Sequence, residues 1–133
     1  MLKESRLIKI AVIFILMFAM SAGILMYFGI KKFEKEIDSI AISNKYISGT
    51  RDGVYEGEYY PNAFVGAKVK VTVDSGYVTS IELLDHRYGR GKPAEAITEK
   101  VISGQSLDVD TISGATISSK IILKAIDNAL SNE

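Results

Sequence analysis

Residues 10–30 are 21 consecutive positions without a charged side chain. As a helix rising about 1.5 Å per residue they reach about 31 Å, the thickness of a bilayer's hydrocarbon core. Lys9 stands at one end and Lys31 and Lys32 at the other, where long basic side chains can snorkel. Tyr27 and Phe28 fall where an interfacial aromatic belt sits. A cleaved signal peptide is the competing reading, with an apolar region of about 7 to 15 residues. Ala19-Met20-Ser21 has the small-x-small pattern of a cleavage site, but the apolar run continues well beyond it. The stretch is apolar on every face, unlike a one-sided core helix. It is expected to be an uncleaved single-pass anchor. Orientation is nearly balanced, with Lys3, Arg6 and Lys9 before the span and Lys31, Lys32 and Lys35 after it. A free α-amino group tips the balance toward the N-terminus inside, which places the rest of the chain outside the cytoplasm.

The remaining residues suffice for one small domain with a single core. The expected division is residues 1–32 as cytoplasmic tip and anchor, 33–51 as stalk and linker, and 52–133 as the domain. Phe33, Ile37, Ile40 and Ala41 keep helical spacing into the stalk. The chain has no cysteine, which excludes disulfides, a thiol nucleophile, a cysteine-linked lipid anchor and thiolate metal sites. His86 is the one histidine, so a multi-histidine metal site is excluded within one chain, and no metal is assigned. Sixteen basic residues balance sixteen acidic ones, leaving no electrostatic footprint for nucleic acid.

Within the domain, residues 54–60 read as a strand. Val65, Ala67, Val69, Val71 and Val73 alternate with Gly66, Lys68, Lys70, Thr72 and Asp74, the clearest strand in the chain. Residues 74–76 (Asp-Ser-Gly) make a turn, and residues 77–85 return as an antiparallel partner. Residues 86–92 form a glycine-rich basic loop. Pro93 suits the first position of a helix over 94–103, which Gly104 is placed to end. Residues 107–109 read as a short strand. Ile117, Ile121, Ala125 and Ala129 line one row of a helix over 117–130. The fold class is α+β: a transmembrane helix, then an antiparallel sheet with helices packed on it.

The stretch richest in chemistry precedes that last helix: Asp110-Thr111-Ile112-Ser113-Gly114-Ala115-Thr116-Ile117-Ser118-Ser119-Lys120. A helix N-terminus offers unpaired N–H groups and partial positive charge, which suit a phosphate. Gly114 lets backbone approach an anion closely. Ser113, Thr116, Ser118 and Ser119 add hydroxyls, and Lys120 and Lys124 add charge on the first turns. On these residues alone two readings stand: an anion site, or an ordinary Ser/Thr helix cap with a glycine turn. The spacing matches neither a Walker A loop nor a dinucleotide fingerprint.

Asp-x-x-Ser-Gly-Ala-Thr-x-Ser-Ser, residues 110–119, is similar to the flavinylation motif of the FMN-binding domain family. That family includes the FMN-carrying subunits of the sodium-pumping quinone reductase and of the Rnf complex. The resemblance extends over residues 52–131. Asp52-Gly53-Val54-Tyr55-Glu56-Gly57 looks like the family's opening, residues 69–84 like its middle hairpin, and residues 121–130 like its closing helix. The resemblance implies that a flavin transferase takes FMN from FAD and joins its phosphate to Thr116. Asp110, Ser113, Gly114, Ala115, Ser118 and Ser119 would then frame that site. The implied protein is a membrane-anchored extracytoplasmic electron carrier with covalent FMN, passing electrons between redox membrane proteins rather than acting as a free-standing catalyst. Two alternatives are a non-covalent flavin reductase or sensor and a non-redox envelope domain.

The large-complex subunits carry Glu-Thr-Pro-Gly after the second hairpin strand. Here the chain reads His86-Arg87-Tyr88-Gly89-Arg90-Gly91-Lys92-Pro93, which looks like the shorter, stand-alone members. By position, His86 and Arg90 either contact the flavin ring or phosphate, or are solvated charges on a surface loop. Tyr55 and Tyr88 are candidates to stack on the ring, with core packing the alternative use of Tyr55.

Overall fold

The computed structural model describes residues 1–42, 47, 49–87, 89 and 91–131. The chain divides into two compact units, Met1–Asp38 and Ser39–Glu133.

The first unit is α1 (Leu2–Asp38), one continuous helix. Over residues 10–30 its apolar side chains are exposed all round, with Phe14, Phe18 and Leu25 each more than two-thirds accessible. A helix in the core of a water-soluble domain hides such residues, whereas a lipid-facing helix presents them on all sides. α1 is long and apolar enough to cross a membrane. The helix runs past the apolar span into the expected stalk and stops at Asp38.

The second unit is built on a three-stranded antiparallel sheet, β1 (Gly53–Tyr59), β2 (Gly66–Asp74) and β3 (Tyr77–Arg87), in that spatial order. β2 is central, and its alternation sorts the two faces. Ala67, Val69, Val71 and Val73 are buried, while Lys68 and Lys70 pair with Glu56 and Glu82 across the opposite face. The β2–β3 turn has Ser75 at φ 55° and Gly76 at φ 77°, the doubly left-handed pair that matches hairpin twist. Asp52 Oδ1 accepts the Gly76 N–H at 2.9 Å, fastening that turn to the start of β1. The ladder slips at Lys68/Val69 and Thr72/Val73, leaving Leu84 and Thr79 of β3 without a Cα partner. β3 also runs two residues past the expected end, so His86 lies on the strand opposite Ala67 rather than in a loop.

α2 (Ile97–Gly104) follows a 3-10 helix, Lys92–Ala96, where one helix over 94–103 is the sequence expectation. Pro93 supplies no N–H there, and the entry takes the tighter turn. The left-handed residue that ends α2 is Gln105 (φ 47°, ψ 41°), while Gly104 is still helical. The Gln105 amide explains the substitution. Its Oε1 accepts the Val78 N–H at 2.8 Å, and its Nε2 donates to Val78 O at 2.8 Å and Ile102 O at 2.7 Å. These three bonds offset the roughly 1–2 kcal/mol of a non-glycine left-handed residue. Residues 107–109 form no strand; Leu107 is instead buried as a core residue.

α3 (Thr116–Ser131) packs on β1 and β2 and starts one residue before the expected helix. Ile121, Ile122, Ala125, Ile126 and Ala129 are fully buried, and each large one contributes about 1.5–3 kcal/mol. The approach to β1 is close. A Cβ on Gly57 would lie 2.3 Å from Ala125 O and Ala129 N. Asn128 Nδ2 donates to Glu58 O, covering part of the free β1 edge. Ile47, in the expected linker, is 1% exposed, and its N–H donates to Gln105 O.

Candidate functional site

The hydroxyl-rich stretch folds as a tight turn feeding α3. Ala115 N–H donates to Ile112 O at 2.9 Å, closing a four-residue turn over 112–115. Gly114, third in that turn, has φ +77°, the position where such a turn needs glycine. Ser119 N–H donates to Ala115 O at 2.9 Å, so Ala115 is the residue before the helix and Thr116 the first helical one.

This arrangement bears on the capping reading. A side-chain cap needs an oxygen on the residue before the first helical one. Ala115 stands there, buried and with only a methyl group. Among the described residues no side chain caps the N–H groups of Thr116, Ile117 and Ser118, which stand in the positive field of a sixteen-residue helix. Thr116 is exposed at that end, as are Ser113 and Gly114. An exposed hydroxyl beside open N–H groups and a left-handed glycine fits a bound phosphate.

The remaining motif residues divide by position. Asp110 is exposed, and its carbonyl accepts Lys100 Nζ of α2 at 3.1 Å. Ser118 and Ser119 are buried. Ser119 Oγ accepts the Ile112 N–H at 3.0 Å and donates to Ala115 O at 2.8 Å. Lys120 is half-buried at the start of the second turn. Lys124 is engaged elsewhere: Nζ lies 2.7 Å from the buried Asp127 carboxylate and 2.9 Å from Ala41 O.

His86 is neither in a loop nor solvated. Its side chain is 4% exposed, with Nδ1 3.1 Å from Glu95 Oε1 on the 3-10 helix. Arg90 and Tyr88 lie outside the described residues. Tyr55 is half-buried and donates its hydroxyl to Arg51 O at 2.8 Å.

Sequence reasoning missed a second polar cluster at the far end of the sheet. Tyr60 donates to Asp85 Oδ2 at 2.7 Å, Arg87 Nε donates to the same oxygen, and the Arg87 guanidinium lies 5.0 Å over the Tyr60 ring. Burial, then Asp85, pushes the Tyr60 hydroxyl up to about 12. The Tyr60 hydrogen bond, with Arg87 helping, holds the Asp85 carboxyl below its usual range. The ring lies so close to Gly66 that a Cβ there would meet it at 2.0 Å. Tyr60-Pro61-Asn62 signals a turn in sequence, but the Asp85 and Arg87 partners are set by strand register alone.

An open groove runs along β1, lined by Glu56, Gly57, Glu58, Lys68, Asn128 and Ser131. Ser131 is fifteen residues beyond Thr116, about 22 Å along α3. The groove is thus separate from the turn.

Residues 66–131 match the profile of the FMN-binding domain family, about half of the chain and including the whole turn and α3. No curated protein matches the chain.

Proposed function

Residues 66–131 belong to the FMN-binding domain family, whose cofactor is FMN, and from that premise we propose a membrane-anchored electron carrier with FMN joined covalently to Thr116. The flavin would supply reversible electron transfer when bound. α1 would anchor the carrier, with the flavin domain on the extracytoplasmic side. Its partners would be a flavin transferase during maturation and redox membrane proteins in service.

The observation that carries the covalent reading is the exposed Thr116 hydroxyl at the first position of a helix whose N-terminus has alanine where a cap would be. In the step proposed, Thr116 Oγ1 forms a phosphoester to the FMN phosphorus as the pyrophosphate bond of FAD breaks. AMP leaves, and the hydroxyl proton passes to the transferase. The product is a phosphodiester anion, which the α3 N–H groups are placed to stabilise. Linkage through phosphate leaves the isoalloxazine ring chemically untouched. It also retains the cofactor on the outer membrane face, where diffusion would otherwise remove it.

Acid precipitation after coexpression with a flavin transferase tests this. A yellow pellet that turns colourless in Thr116→Ala supports covalent attachment at Thr116. Colour released to the supernatant supports a non-covalent flavin reductase or sensor. No flavin in either fraction supports a non-redox envelope domain.

A further inference from the structure

Ser119 belongs to the same motif as Thr116, yet its geometry differs from that of a cofactor contact. It is fully buried, three residues into α3. Its single hydroxyl is already used in both directions, accepting the Ile112 N–H and donating to Ala115 O. These two groups lie at the ends of the turn that carries Ser113 and Gly114. From its buried helical position, Ser119 thus bolts the turn to the helix. A looser tie at the loop's start is the exposed Lys100 Nζ on Asp110 O. A glycine-containing turn is otherwise costly to order, at roughly 1–2 kcal/mol of backbone entropy per residue.

We infer that Ser119 is a positioning residue for modification of Thr116: it holds the turn over 112–115 in its final shape before the flavin transferase arrives. This rests on the reading of Thr116 as acceptor. A transferase that binds an ordered loop avoids the ordering cost on encounter. If the loop adopts its competent shape only a tenth of the time, apparent affinity falls tenfold. The role therefore shows in KM for the chain, while the chemical step at Thr116 is untouched. Threonine at 119 keeps a hydroxyl able to reach the carbonyl four residues back in a helix.

The test uses the full chain in detergent, purified without flavin, with a flavin transferase and FAD. Expected for Ser119→Ala are a rise of about tenfold in KM for the chain, kcat within twofold of wild type, and an unchanged visible flavin spectrum once modified. Ser119→Thr should return KM to near the wild-type value. Before modification, the Ile112 amide should exchange with solvent faster in Ser119→Ala, while those of Ile122 and Ile126 stay protected. Should Ser119→Ala fail to fold, the exposed Lys100→Ala variant takes its place, with an expected KM rise of about threefold at constant kcat. Unchanged KM in the variant that folds, an impaired Ser119→Thr that is folded, or a shifted flavin band in Ser119→Ala would each overturn the inference. Failure of the wild-type chain to take up flavin would overturn the reading of Thr116 itself. Ile112 exchange would still report on the brace in that case.

Discussion

Tyr60 and Asp85 share one hydrogen bond whose strength depends on pH at both ends of the scale. Asp85 has a folded pKa below its ordinary value, caused first by the Tyr60 hydroxyl. The stability it contributes is complete above the unfolded carboxylate pKa of about 3.9 and is lost as pH falls through the folded value. Tyr60 has the opposite sign, raised to about 12. Its contribution is complete below about pH 10 and is lost as pH rises toward 12. Tyr60→Phe should therefore flatten both limbs, and thermal melts of the solubilised chain from pH 3 to 5 and from pH 9 to 11 would show it. Equal slopes in the two proteins would contradict this account. Legibility in sequence follows the range of each interaction. The turn at Gly114 and the placing of Thr116 are local, written in ten consecutive residues. Gln105 binding Val78 and Tyr60 binding Asp85 join residues 27 and 25 positions apart, which only the strand register and the path of α2 bring together. The Ser119 hydroxyl was legible as a polar group of the motif. That it turns inward, toward Ile112 and Ala115, follows from the helix beginning at Thr116.

Among the elements, β2 and α3 were the easiest to read, because one apolar face must meet the core at a fixed period in each. Of the departures, the first comes where side-chain bonds override local preference. Gln105 takes the left-handed place expected of a glycine, Leu107 enters the core from a stretch expected to be strand, and β3 carries two bulges that alternation does not announce. The packing of α3 on β1 depends on Gly57. A methyl there would sit 2.3 Å from backbone atoms of Ala125 and Ala129, and backbone cannot swing aside as a side-chain tip can. Gly57→Ala should destabilise the domain by about 1–3 kcal/mol, as overpacking does. A lowered midpoint of denaturant unfolding measures it. An unchanged midpoint would mean that α3 rides farther from β1 than described.

For the whole molecule, an FMN-binding domain and a helix long and apolar enough to cross a membrane fit a membrane-anchored flavin-binding module. In the proposed role, anchoring would keep the flavin near lipid-embedded donors and acceptors. The chain's lack of cysteine makes the proposed topology simple to test. Phe64 is 85% exposed on the β1–β2 connection, and Ser5 is exposed near the start of α1. In intact cells, a membrane-impermeant thiol reagent should label Phe64→Cys and leave Ser5→Cys unlabelled until the membrane is opened. The reverse pattern would place the flavin domain in the cytoplasm.

The most direct test of covalent attachment is the intact mass of the full chain after coexpression with a flavin transferase, followed by fragmentation of the peptide spanning 110–120. The account predicts a gain equal to FMN less one water, localised to Thr116 and absent from Thr116→Ala. An unmodified mass, or the same adduct retained in Thr116→Ala, would contradict it.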